Sequence, residues 1–168
     1  MFNRLLALGT FASAIFMALP AFADVILPGR CPHMGYCWDQ KLSKKTLVQK
    51  LRGGTLYSIE LAHRSWKFES QPPDTFKPSR TNYVYCSTTR PTLIFQFDNK
   101  YYAHFLNPGG EWYGYNISSY PVYWATCHEF SAKDFRNDNM RRRAFQLGYS
   151  LRLKTDQREL NNVCDFLK

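Results

Sequence analysis

The sequence predicts an α+β domain: a small antiparallel sheet of about five to seven strands, helices from both chain ends packed on it, and disulfides stapling it. Three features carry that expectation. Residues 83–129 hold 13 of the 28 aromatic residues and alternate apolar with polar positions between turn signals, the period of half-buried strands. The flanks on either side carry apolar residues at helical spacing. All five cysteines lie beyond residue 30, outside the apolar leader.

The first 23 residues read as an export signal. Arg4 supplies the charge, Leu5 to Leu19 the apolar run, and Pro20 with Ala21-Phe22-Ala23 the break and the small-x-small cleavage site. The run falls short of the roughly 20 residues that span a bilayer. Cleavage is expected between Ala23 and Asp24, leaving a single periplasmic or secreted domain over 24–168 with no transmembrane segment. Cysteines pair in such compartments. The expected bridges are Cys31–Cys37 and Cys86–Cys127, with Cys164 left over.

Charge is unevenly spread: net +5 over residues 24–82, −1 over 83–130 and +4 over 131–168. Basic flanks favour anionic surfaces such as lipid headgroups or wall polymers. The run Arg141, Arg142, Arg143 is the densest part of them.

Along the chain, residues 24–42 read as an irregular arm, broken by Pro28, Gly29, Pro32 and Gly35. Ser43 reads as the N-cap of a helix from Lys44 to Arg52 that buries Leu47, Val48 and Leu51. Thr55 to Phe68 reads as a strand with Tyr57, Ile59 and Leu61 on one face and a bulge or turn at Ala62–Ser65. Leu93 to Phe105 reads as a hairpin. A three-residue loop, Asp98-Asn99-Lys100, would pair Phe97 with Tyr101 and keep all apolar residues on one face, whereas a two-residue turn would split them. Trp112–Tyr115 and Val122–His128 read as further strands. Asn139 to Leu147 reads as a helix, Tyr149 to Leu153 as an edge strand, and the tail from Asp156 as a helix burying Leu160, Val163, Cys164 and Leu167.

Phosphate loops, HExxH, GxSxG and CxxC are all absent from the sequence, so no cofactor or metal is expected. Among the aromatics, Arg90, His104, Glu111 and His128 are the candidate acid–base groups. Brought together, they could cleave a phosphodiester by acid–base chemistry, as a small secreted ribonuclease-like hydrolase would. The leading expectation is instead non-catalytic: an exported cell-envelope binding or inhibitor-like module whose partner is an envelope protein or a wall glycan. Its contact residues would be Trp112, Tyr113, Tyr115, Tyr120 and Tyr123, because Tyr and Trp bury large area at little entropy cost.

Overall fold

A computed structural model describes residues 23–110, 112, 114–135 and 140–167. All but the last residue of the expected export signal, together with Glu111, Tyr113 and Asp138, lies outside the described residues. Among the described residues no helix is long and apolar enough to cross a membrane.

The fold is a seven-stranded antiparallel sheet in strict sequence order. Its strands are β1 (Val25–Pro28), β2 (Tyr36–Leu51), β3 (Gly54–Lys67), β4 (Arg80–Cys86), β5 (Thr92–Phe97), β6 (Lys100–Phe105) and β7 (Asp156–Leu160). Two helices, α1 (Ser119–His128) and α2 (Met140–Gln146), fall in the long connection from β6 to β7. The sequence reading is right in the coarse class, a sheet with helices and two disulfides, and right about one helix, α2, which falls within the expected 139–147; it is wrong about the other helical segments.

Among the described residues the N-terminal flank contains no helix. Lys44–Leu51 is the second half of β2, paired along its length with β3. The pairing register shifts at Ser43 and again at Val48. Each shift flips which side chains face which side of the sheet, so Leu42 and Leu47 share one side and Leu51 takes the other. Two bulges five residues apart turn the period of a strand into something close to that of a helix. The bulge expected in β3 is therefore on its partner, and β3 runs regularly from Thr55 past Ala62 and Ser65.

Val122–His128 is not a strand but most of α1. Residues 119–126 of this helix are all buried, so it shows no polar stripe; a helix apolar all round is one enclosed on every side. Pro121 lies in its first turn, where a missing N–H costs no helical bond. The helix touches β1 as well as β4 and β5. Strands three positions apart in a flat sheet stand about 14 Å from each other, so the sheet curls around α1. Leu27, Leu42, Ile59, Val84 and Leu93 line that inner side against Tyr120, Val122, Tyr123 and Trp124.

The outer side has its own smaller core of Leu56, Tyr85, Ile94, Ala103, Phe105 and Leu160, covered by Phe166. This second core explains the hairpin. The turn is the two-residue one, with Phe97 opposite Lys100, Phe95 opposite Tyr102 and Leu93 opposite His104. The apolar residues are split between two faces, and both faces are covered. Asp98 and Asn99 have φ of 48° and 61°, the left-handed pair that a tight hairpin with right-handed twist requires. Asn99→Gly is therefore expected to stabilise by about 0.5–1 kcal/mol and Asn99→Val to destabilise by about 1–2 kcal/mol, read from urea midpoints. A three-residue loop would reverse neither sign at Asn99 but would leave Asp98→Gly neutral, whereas the two-residue turn makes it stabilising too.

Two disulfides are formed, Cys31–Cys37 and Cys86–Cys127, and Cys164 is free and exposed. The second ties the last turn of α1 to the end of β4, helix to strand rather than strand to strand. The C-terminal segment is likewise not a helix of the expected kind. Asp156–Leu160 is the edge strand, Tyr149–Leu153 is not a strand, and Val163–Leu167 is a short 3-10 turn that buries Phe166.

Candidate functional site

Directly opposed residues of neighbouring strands share a face, so the inner side of the sheet can be read across. Gln40 faces His63, Leu42 faces Leu61, Leu61 faces Arg80, and Ile59 faces Asn82. The core against α1 covers only part of this side. Beyond the N-terminal end of the helix the inner side is open and forms a groove of about 540 Å³. Leu61, Leu93 and Phe95 make its floor, and Trp38, Phe97 and Tyr115 its walls. Phe97 and Tyr115 are more than half exposed, at 57% and 58%.

A few polar groups interrupt this apolar surface. The side-chain oxygen of Gln40 is buried without a hydrogen-bond partner. Asn82 is 9% exposed, and no side-chain hydrogen bond holds it among the described residues. Arg80 is exposed at the edge of the groove and forms no ion pair among the described residues. Asp98 lines a second depression with it, of about 570 Å³, without pairing to it. Burial, and then the charges of Lys77 and Arg80, hold the His63 imidazole below its ordinary pKa. An apolar groove with a few convergent unpaired polar groups is the general form of a binding site.

His104 closes the groove at the foot of α1. One ring nitrogen lies 2.8 Å from the Ser119 hydroxyl and the other 2.9 Å from the Gln157 side-chain oxygen. The Gln157 oxygen can only accept, so Nε2 carries the proton and Ser119 donates to Nδ1. Phe95 and Tyr115 pack against the ring. Burial pulls its pKa down, opposed by the bond to Gln157. Both nitrogens are therefore engaged by neutral partners, and the residue locks helix to sheet.

The sign of its linkage follows. The folded imidazole has a lower pKa than the ordinary 6.5, so the unfolded chain binds a proton first on acidification. The neutral-state stability is complete above about pH 6.5 and is lost as pH falls from there through the folded value. His63 and His128 are lowered as well and act in the same direction. Urea midpoints are expected to fall between pH 7.5 and pH 5, with a shallower slope in His104→Gln than in the parent. An identical slope would show that His104 is as protonated folded as unfolded.

His128 sits at the other end of α1, about 13 Å along the helix. Its Nε2 is 2.6 Å from the Tyr149 hydroxyl, which is 2.9 Å from that of Tyr123. Tyr123 donates to the Ser87 carbonyl and accepts from the Ser87 N–H. With that donor assigned, protons run in one direction: His128 to Tyr149 to Tyr123 to Ser87. Burial pushes the Tyr149 phenol up to about 12 and that of Tyr123 well above its ordinary value. Both phenols are neutral hydrogen-bonding groups of the core.

The four residues considered for acid–base chemistry are not gathered. His104 and His128 stand at opposite ends of α1. Arg90 donates to the Leu167 carbonyl and lies over the Phe105 ring on the outer side. Glu111 is outside the described residues. The expected contact residues divide as well. Tyr120 and Tyr123 are fully buried, and Trp112 stacks on Tyr120 at 4.8 Å. Tyr115 alone of the described ones reaches the groove. Arg141 and Arg142 are exposed. Arg143 lies over Phe130 and 3.9 Å from Asp134.

The residues that sequence reasoning missed are Trp38, Gln40, His63, Arg80 and Asn82. One signal was available. The face shared by Tyr57, Ile59 and Leu61 continues through His63 and Ser65 once the supposed bulge in β3 is removed, and that continuation is a groove edge. Compared with family models, curated proteins and solved structures, the chain matches none of them.

Proposed function

We propose that the protein is a non-catalytic binding module, exported to the cell envelope, and that the groove beside the N-terminal end of α1 is its binding face. The observation that carries this reading is the combination in that groove of exposed aromatic walls with the Gln40 side-chain oxygen, which the fold buries unpaired. An unpaired polar atom in an apolar setting costs about 1–3 kcal/mol, and a ligand that meets it recovers that cost. The hydrolase alternative requires a histidine within reach of a carboxylate, and neither His104 nor His128 has one as a hydrogen-bond partner among the described residues. The basic flanks would add attraction to an anionic envelope surface.

The test uses the secreted protein, its N-terminus determined by sequencing. It is expected to begin at Asp24 and to leave a synthetic RNA intact. Cleavage of the RNA that disappears in His104→Gln or His128→Gln would replace this reading with the hydrolase one.

A further inference from the structure

The groove specifies more than apolarity. Arg80 is the one permanent cation among its described lining residues, and no Asp or Glu lines it. A single unpaired positive charge at the edge of an apolar trough calls for a single negative charge on the ligand. Asn82, one strand-step along β4, offers amide N–H groups beside the guanidinium, the set that holds the two oxygens of a carboxylate. Two strands away, the buried oxygen of Gln40 is an acceptor with no donor. It calls for an N–H on the same ligand. Between these polar points lies the apolar floor of Leu61, Leu93 and Phe95.

A monoanion, an N–H donor and an apolar group on one ligand describe the end of a polypeptide. We infer that the groove captures the free C-terminus of a peptide with an apolar last residue: the carboxylate on Arg80 and Asn82, the apolar side chain on Leu61 and Phe95, and a backbone N–H on Gln40. His63 beside Gln40 is kept neutral by burial and by Lys77 and Arg80, so it adds a hydrogen-bonding group without a second charge. Capture of a terminal carboxylate together with main-chain groups is an established mode of peptide recognition. This inference rests on the binding-module reading and gives that module its ligand class.

The experiment is an NMR titration of the labelled protein with acetyl-Ala-Ala-Leu carrying either a free carboxylate or a C-terminal amide. Shifts are expected at the Trp38 indole N–H and at Asn82. The amide is expected to bind at least tenfold more weakly, the loss of about one charge-assisted hydrogen bond. Arg80→Gln is expected to bind the acid as weakly as the amide, and Gln40→Leu to weaken both forms together. Equal affinity for acid and amide, or an Arg80→Gln variant that binds the acid like the parent, overturns the inference. Shifts at the Arg141–Arg143 surface with none in the groove overturn it as well. None of these outcomes bears on RNA cleavage, which judges the binding-module reading separately.

Discussion

Trp124→Ala is expected to lower stability by about 3–5 kcal/mol, the range for removing a fully buried large aromatic. Trp124 has no exposure and is among the largest enclosed side chains. It stacks on Phe130 at 4.8 Å and touches the His128 and Tyr149 rings. Its indole N–H is buried without a partner, so Trp124→Phe gives up volume but no hydrogen bond. The Phe variant is expected to cost markedly less than the Ala variant. Phe97→Ala, at a side chain 57% exposed, is expected to cost less than about 1 kcal/mol. Urea unfolding of the three variants checks the order. If Phe97→Ala proves the most costly, the hairpin face assignment is wrong and α1 is not the centre of the core.

Removing the Cys86–Cys127 bridge as a double alanine variant is expected to cost about 4 kcal/mol, and removing Cys31–Cys37 about 2 kcal/mol. The difference comes from loop length, 41 residues against 6, because the longer loop frees more entropy in the unfolded chain. A small domain has about 5–15 kcal/mol in all, so the first loss is a large share of it. The long bridge also fixes the last turn of α1 to β4, and that turn carries His128. Its loss is expected to shift the His128 ring resonances as well as the urea midpoint, while the short bridge leaves them in place. Non-reducing peptide mapping must link a Cys86 peptide to a Cys127 peptide; a Cys127–Cys164 link would contradict the geometry outright.

How much of this was legible in the sequence depends on what each segment has to cover. The region around Cys86 and Leu93–Phe105 announces strands, because alternation survives there. The two bulges in β2 erase it, placing Leu42, Leu47 and Leu51 at spacings that suit a helix equally well. α1 fails in the opposite way: its tyrosines, valine and threonine are strand formers by propensity, and full enclosure removes the polar stripe that would reveal a helix. The hairpin register was misjudged on one assumption, that only one side of the sheet is covered. Phe166, sixty-one residues beyond Phe105 in the chain, covers the other side. The groove was illegible for a related reason. Gln40, His63, Arg80 and Asn82 come from three strands, and only their pairing brings them to one surface.

The order of the strands bears on how the chain reaches this state. Each strand from β2 to β6 pairs with the strand made just before it, so every closure along the way spans a short loop and costs little entropy. The seventh is different. Asp156 must find Phe105 across the whole connection that carries α1. Sheet formation can therefore run ahead of helix docking, and a nascent chain that has reached Phe105 presents an inner apolar face with nothing on it. Such a partly covered sheet is the species most prone to associate with its own copies. Yield on refolding is expected to depend on how quickly α1 seats itself, more than on how stable the finished protein is.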